Sequence, residues 1–108
     1  LGIDITYIIF NDGVYGALRH SQKYVYGERY IGTDINSPDF KTLAEAFGAV
    51  GHKVESGAEF AEALRESQSA GGVHVVDCPI DKNSLSSRWQ RTVKTFAADP
   101  LSTEQPSR

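Results

Sequence analysis

Apolar positions along the chain change their spacing from one segment to the next, and each spacing predicts an element. Residues 3–11 are β-branched and aromatic with little alternation, the pattern of a strand buried on both faces of a parallel sheet. Asn11-Asp12-Gly13 interrupts it with turn chemistry. Residues 15–23 suit a helix, with Gly16 near its start permitting close backbone approach. Residues 24–37 hold Tyr24, Tyr26, Gly27, Tyr30 and Gly32 without a period, which predicts an irregular connection. Phe40, Leu43, Ala44 and Phe47 then recur at helical spacing, with Ser37 as the expected N-cap, Pro38 at the first helical position and Gly48 as the stop.

His52-Lys53-Val54-Glu55 reads as a short strand. Ser56-Gly57-Ala58-Glu59 is a capping box for a helix that carries Phe60, Ala63, Leu64 and Ser67 on one face and ends at Ala70-Gly71-Gly72. Residues 73–78 form a strand that Pro79 terminates. Strands alternating with helices of this length imply βαβ units. The expected fold is α/β, a three-layer parallel sheet with helices on both faces. Leu85, Trp89, Val93 and Phe96 make one stripe of a last helix whose other face holds Arg88, Arg91 and Lys94. Residues 82–98 are therefore set apart from a main domain at 1–81. Residues 99–108, rich in Pro, Ser and Thr, are expected to be disordered.

At 108 residues there is room for one domain. Eleven Lys and Arg against fourteen Asp and Glu leave a net charge of −3, without the basic footprint of a nucleic-acid binder. The longest purely apolar or aromatic run is Tyr7-Ile8-Ile9-Phe10, far short of the ~20 residues a membrane span requires. One cysteine, Cys78, excludes an internal disulfide and a Cys-cluster zinc site. A soluble, cytoplasmic α/β protein is expected. The start at Leu1, lacking Met and running into a strand almost at once, is that expected of a segment from a longer chain.

Ligands of open parallel sheets bind beyond the carboxyl ends of the strands, which singles out Asn11-Asp12-Gly13-Val14-Tyr15-Gly16. The turn offers a carboxylate, backbone carbonyls and the N–H groups of a helix start. Oxygen ligands beside an anion cradle suit Mg²⁺ with a diphosphate; the same residues also serve as a plain tight turn. His20, His52 and His74 read as exposed or packing residues, and Cys78 as a small buried hydrophobe.

The succession from Ile9 to Arg19 resembles the second half of the thiamine diphosphate motif, whose first half opens with Gly-Asp-Gly further upstream. Gly32-Thr33-Asp34-Ile35-Asn36-Ser37-Pro38-Asp39-Phe40, then Leu43-Ala44-Glu45-Ala46-Phe47-Gly48, then Val75-Val76-Asp77-Cys78-Pro79 follow in order. Residues 3–81 thus resemble the C-terminal half of the cofactor-diphosphate domain in the acetolactate synthase, pyruvate oxidase and benzoylformate decarboxylase family. The resemblance implies thiamine diphosphate and Mg²⁺ as cofactors. It matches Asn11 to the first motif asparagine and Asp12 to the second, so that the Asp12 side chain and the Val14 carbonyl would hold the metal. A one-residue shift would give Asn11 and the Gly13 carbonyl instead. Asp12 departs from the usual Asn; its extra charge should tighten the metal and slightly disfavour the diphosphate.

The resemblance also implies that the N–H groups of Tyr15 and Gly16 face the diphosphate. Leu18 stands where pyruvate-decarboxylase-like relatives place an acid, and an aliphatic chain cannot donate a proton. That leans towards an acetolactate-synthase-like carboligase or an aryl-keto-acid decarboxylase acting on a 2-keto acid. The Gly-Asp-Gly half and the activating glutamate of the family are not in these 108 residues, so the isolated chain is expected to be inactive. Its implied partners are the remainder of a parent chain or a complementary subunit, in a homo-oligomer. A non-catalytic module that docks on another chain is the competing expectation.

Overall fold

The computed structural model describes residues 2–98. They fall into two compact units, residues up to 13 with 36–81, and residues 14–35 with 82 onward. The chain therefore does not divide only at 81: the segment after the Asn-Asp-Gly turn groups with the last helix.

The first unit is built around three parallel strands, β1 (Ile5–Asn11), β2 (Val50–Lys53) and β3 (Val73–Pro79), in the order β1-β3-β2. Tyr7 pairs with Val75, and Val50 with His74. The strand expected to be buried on both faces, β1, lies instead at a sheet edge, with Tyr7 and Phe10 exposed. The last strand inserts between the other two, so β3 is the buried one: Val76, His74 and Asp77 are nearly inaccessible. Because side chains alternate across a sheet, Tyr7, Ile9, Val73 and Val75 share one face. There they line an apolar groove with Phe40 and Leu43 of the first unit's opening helix, α2 (Phe40–Ala46), and with Phe47, which caps it. On the other face Val76 and Cys78 meet Val54, Phe60 and Ala63, the last two from α3 (Gly57–Ala70). Three layers with helices on both faces result, as the βαβ pattern requires.

Helix α2 begins later than Ser37-Pro38 suggests. Its N-cap is Asp39, whose side chain accepts the Thr42 N–H at 3.2 Å, a better-placed acceptor than Ser37 for the first helical turn. That backbone hydrogen bond holds the Asp39 carboxyl below the usual carboxylate range, with slight opposition from desolvation and some help from Lys53. A depressed carboxyl stabilises the fold above its unfolded value and loses that contribution as pH falls through its folded value. Asp39→Asn caps without titrating. Its melting temperature is expected to lie below the parent's at neutral pH and to converge with it in acid, and a gap that ignores pH would show that the charge contributes nothing.

The capping box at α3 forms with a variation. Ser56 accepts the Glu59 N–H at 3.2 Å, while the Glu59 carboxylate takes the N–H of Glu55 at 2.6 Å in place of that of Ser56. His74 is buried inside this unit, on β3. Its Nε2 faces the Gly71 carbonyl and its Nδ1 faces His52 Nε2, both at 2.9 Å. The carbonyl can only accept, so His74 donates to it from Nε2, and in the neutral ring Nδ1 is then the acceptor of a hydrogen bond donated by His52 Nε2. Packing, as expected from the sequence, accounts for both histidines, and among the described residues no group of three or more His, Cys, Asp or Glu is arranged to hold a metal.

The second unit contains α1 (Gly16–Tyr24) and α4 (Ser87–Ala98), which pack on each other. His20 of α1, expected to be exposed, is buried and stacks on Tyr24, one helical turn on, at 6.3 Å between ring centres. Leu85 precedes α4, and Ser86 caps it by accepting the Trp89 N–H at 3.3 Å. Trp89 is 43% exposed. The side chains of the remaining stripe residues, Val93 and Phe96, and the tail at 99–108 lie outside what is described. Among the described residues, no helix is long and apolar enough to cross a membrane.

Candidate functional site at the end of the first strand

The chain leaves the carboxyl end of β1 through a turn that its own side chains build. Asn11 accepts the Gly13 N–H on Oδ1 at 3.0 Å, an Asx turn. Gly13 sits at φ +70°, a conformation in which a side chain would be strained. The other end of the Asn11 amide, Nδ2, donates to the Asp77 carboxylate at 3.2 Å, across 66 residues of chain. Asp77 is 4% exposed and lies on β3, the middle strand. An amide has two distinguishable ends, and the acceptor on Asp77 decides which one turns towards Gly13. Asp12, the central turn residue, is half-buried, and Gly13 after it closes this segment of the first unit.

Val14 opens the second unit and is itself buried. It forms an isolated antiparallel bridge with Asp34, and the Tyr15 N–H donates to the Thr33 carbonyl at 2.8 Å. With the hydrogen bond on this flanking position, Val14 and Asp34 are the non-bonded kind of antiparallel pair. The Val14 carbonyl accordingly points away from the segment that carries Asp34. The same bond engages the Tyr15 N–H, the group that the resemblance turns towards a diphosphate. The helix start that remains consists of the N–H groups of Gly16, Ala17 and Leu18, which precede the first intrahelical bond from the Arg19 N–H to the Tyr15 carbonyl at 2.9 Å. Leu18 projects from this first turn and is 58% exposed.

The donors fit part of a magnesium site. Mg²⁺ takes hard oxygen ligands, commonly one or two carboxylates with waters and phosphate oxygens. A carboxylate at Asp12 and a carbonyl at Val14 are of that kind, and Gly16 begins the helix whose positive end suits a phosphate. Among the described residues no group of three or more His, Cys, Asp or Glu gathers around these donors. Sequence patterns did not reveal Asp77 as the support of this turn or Thr33 as the partner of Tyr15, because these residues lie far apart in the chain.

The family model described as "Thiamine pyrophosphate enzyme, C-terminal TPP binding domain" matches residues 1–78. The chain is 35% identical over 77 residues to the acetolactate synthase of Bacillus subtilis (strain 168), covering 71% of this chain and 13% of that protein. It is 37% identical over 83 residues to the catabolic acetolactate synthase of Raoultella terrigena, covering 75% and 14%. A probable acetolactate synthase large subunit of Methanococcus aeolicus is 31% identical over 86 residues, covering 79% and 14%. The chain thus spans about one-seventh of the length of these relatives. The parallel sheet, the turn at the end of its first strand and the match over residues 1–78 together place this chain in the thiamine pyrophosphate enzyme family, as a C-terminal TPP-binding domain.

Proposed function

We propose that the chain forms one wall of a thiamine diphosphate and Mg²⁺ site in a larger enzyme that acts on a 2-keto acid, with acetolactate-synthase-like carboligation as its reaction. The observation that carries this reading is the Asx turn at the end of β1. Asn11 holds this turn through its bonds to Gly13 and Asp77, and in this reading Asp12 is the metal ligand, together with the Val14 carbonyl two residues on.

When bound, thiamine diphosphate supplies the electron sink for cleaving the bond beside a keto carbon. The work of this chain is positional. Asp12 and Val14 hold the metal, the N–H groups at the start of α1 receive the diphosphate, and Leu18 adds an apolar wall that cannot donate a proton. A site without an acid at this position favours adding a second carbonyl compound over protonation by the protein. Tyr15-Gly16-Ala17-Leu18-Arg19 supports a second reading, an aryl-keto-acid decarboxylase. The edge position of β1, with Phe10 68% exposed, suits addition of the remainder of the parent chain or a complementary subunit. We assign the assembly to a cytoplasmic homo-oligomer.

The test is cofactor retention by the native full-length protein. After chelation with EDTA, thiamine diphosphate should return only when Mg²⁺ is restored, and a condensed 2-hydroxy-3-keto acid should accumulate from 2-keto acid. Aldehyde release from an aryl 2-keto acid without condensation would select the decarboxylase reading. No binding with or without metal would leave a non-catalytic module.

A further inference from the structure

The connection between α1 and α2 has no continuous ladder of its own, yet its far end lies on the backbone of Val14 and Tyr15. Gly27 and Glu28, at φ +66° and +60°, turn the chain back after α1. The Glu28 N–H is held by the Gln22 carbonyl at 3.0 Å. Beyond that turn one side chain meets the returning segment. Gln22 Nε2 donates to the Ile31 carbonyl at 2.9 Å, and the Ile31 N–H donates to Gln22 Oε1 at 3.2 Å. A single amide thereby satisfies both backbone polar groups of one residue, as a neighbouring strand would. The Thr33 hydroxyl also approaches Gln22 Oε1, at 3.4 Å, and Thr33 is 2% exposed. Two residues past Ile31, the Thr33 carbonyl takes the Tyr15 N–H and Asp34 bridges Val14.

Little else fastens this segment. Ile31 is 81% exposed, and Gly32 adds a further left-handed position at φ +65°. Arg19 lies over the Tyr30 ring at 4.2 Å, a contact worth little at an exposed site. We propose that Gln22 is a positioning residue for the cofactor: by gripping the Ile31 backbone it holds Thr33 and Asp34 against Tyr15 and Val14, and so sets the direction of the Val14 carbonyl. The inference rests on the reading above, in which that carbonyl is a ligand of Mg²⁺. Gln22 touches neither metal nor cofactor. It acts one step beyond the direct hydrogen-bond partners of a metal ligand, whose loss commonly costs about 10- to 100-fold in metal affinity.

The experiment compares the native full-length protein with Gln22→Ala and Gln22→Met, the second keeping the length and helix preference of the side chain without its hydrogen bonds. Mg²⁺ is titrated at saturating thiamine diphosphate, and amide exchange is followed at Tyr15 and, as a control, at Ile8 in β1. Both variants should need about tenfold more Mg²⁺, with faster exchange at Tyr15, unchanged exchange at Ile8 and an unchanged KM for the 2-keto acid. Loss of metal affinity in Gln22→Ala but not in Gln22→Met would make the effect one of packing and overturn the proposal. Unaltered Mg²⁺ titrations, or exchange raised equally at Ile8, would overturn it as well while leaving the cofactor reading intact. If the unsubstituted protein takes up no thiamine diphosphate, the cofactor reading itself fails, and the role of Gln22 with it.

Discussion

Asp12→Ala is expected to weaken Mg²⁺ and thiamine diphosphate together in the native full-length protein. Losing an outer partner of a metal ligand commonly costs about 10- to 100-fold in affinity, so loss of the ligand itself should cost roughly 100-fold or more. In the proposed reading the two affinities would fall in parallel, because Asp12 would help hold the metal through which the diphosphate is bound. Asp12→Asn restores the residue usual in the motif and keeps an oxygen donor with one negative charge fewer. It should remain active and bind the diphosphate as well or better. Asn11→Ala acts differently, since it takes away the acceptor for the Gly13 N–H and the donor to Asp77. It should lower the stability of the turn as well as metal binding. Calorimetric titration of cofactor at several fixed Mg²⁺ concentrations separates these cases. Unchanged affinities in Asp12→Ala, with binding abolished in Asn11→Ala, would move the metal site one residue back.

A second large effect is expected at Gly51, in the middle of β2. A Cβ there would run into the backbone of Lys41, whose Cα would lie 2.8 Å away, and into its Cγ at the same distance. The nearest obstacle is the Lys41 carbonyl, a backbone atom that cannot rotate aside. Helix α2 packs on β2 through this contact, so Gly51→Ala must push the helix from the sheet. Overpacking of this kind costs ~1–3 kcal/mol and more where backbone has to move. Near the upper value, the melting temperature should fall by about 10–20 °C for a domain of this size. Gly57→Ala is the matched control. Gly57 has open space around it at the first position of α3, and alanine there should be neutral or stabilise by roughly 0.4–1 kcal/mol through the unfolded chain. Equal melting temperatures for Gly51→Ala and the parent would show that α2 can withdraw without cost.

Much of the architecture is local and was legible in residue order. The period of Phe40, Leu43, Ala44 and Phe47, the Ser56/Glu59 capping box and the β-branched run of β3 are set by neighbours within a turn or a pleat, so spacing alone predicts them. The chemistry of Asn11-Asp12-Gly13 is equally local: an Asx turn needs only its own residues, and a resemblance spread over most of the chain pointed to the same turn. The chain order could not tell which strand lies in the middle. β1 is as apolar as β3, yet β1 takes the edge because sheet order depends on where the crossovers land. It could not distinguish Ser37 from Asp39 as a cap either, since both stand at plausible positions and only the path into α2 favours one.

The supports of the site were beyond sequence reading for a similar reason. Asp77 reaches Asn11 across 66 residues, and Gln22 finds Ile31 only because Gly27 and Glu28 reverse the chain. The amino-acid sequence by itself determined the elements, their parallel arrangement and the turn that carries Asp12. Tertiary structure alone decided the burial of β3, the commitment of the Tyr15 N–H to Thr33 and the direction of the Val14 carbonyl. Short-range backbone preferences act between residues adjacent in the chain, whereas burial and carbonyl direction arise only when distant segments compete for the same space and the same hydrogen bonds.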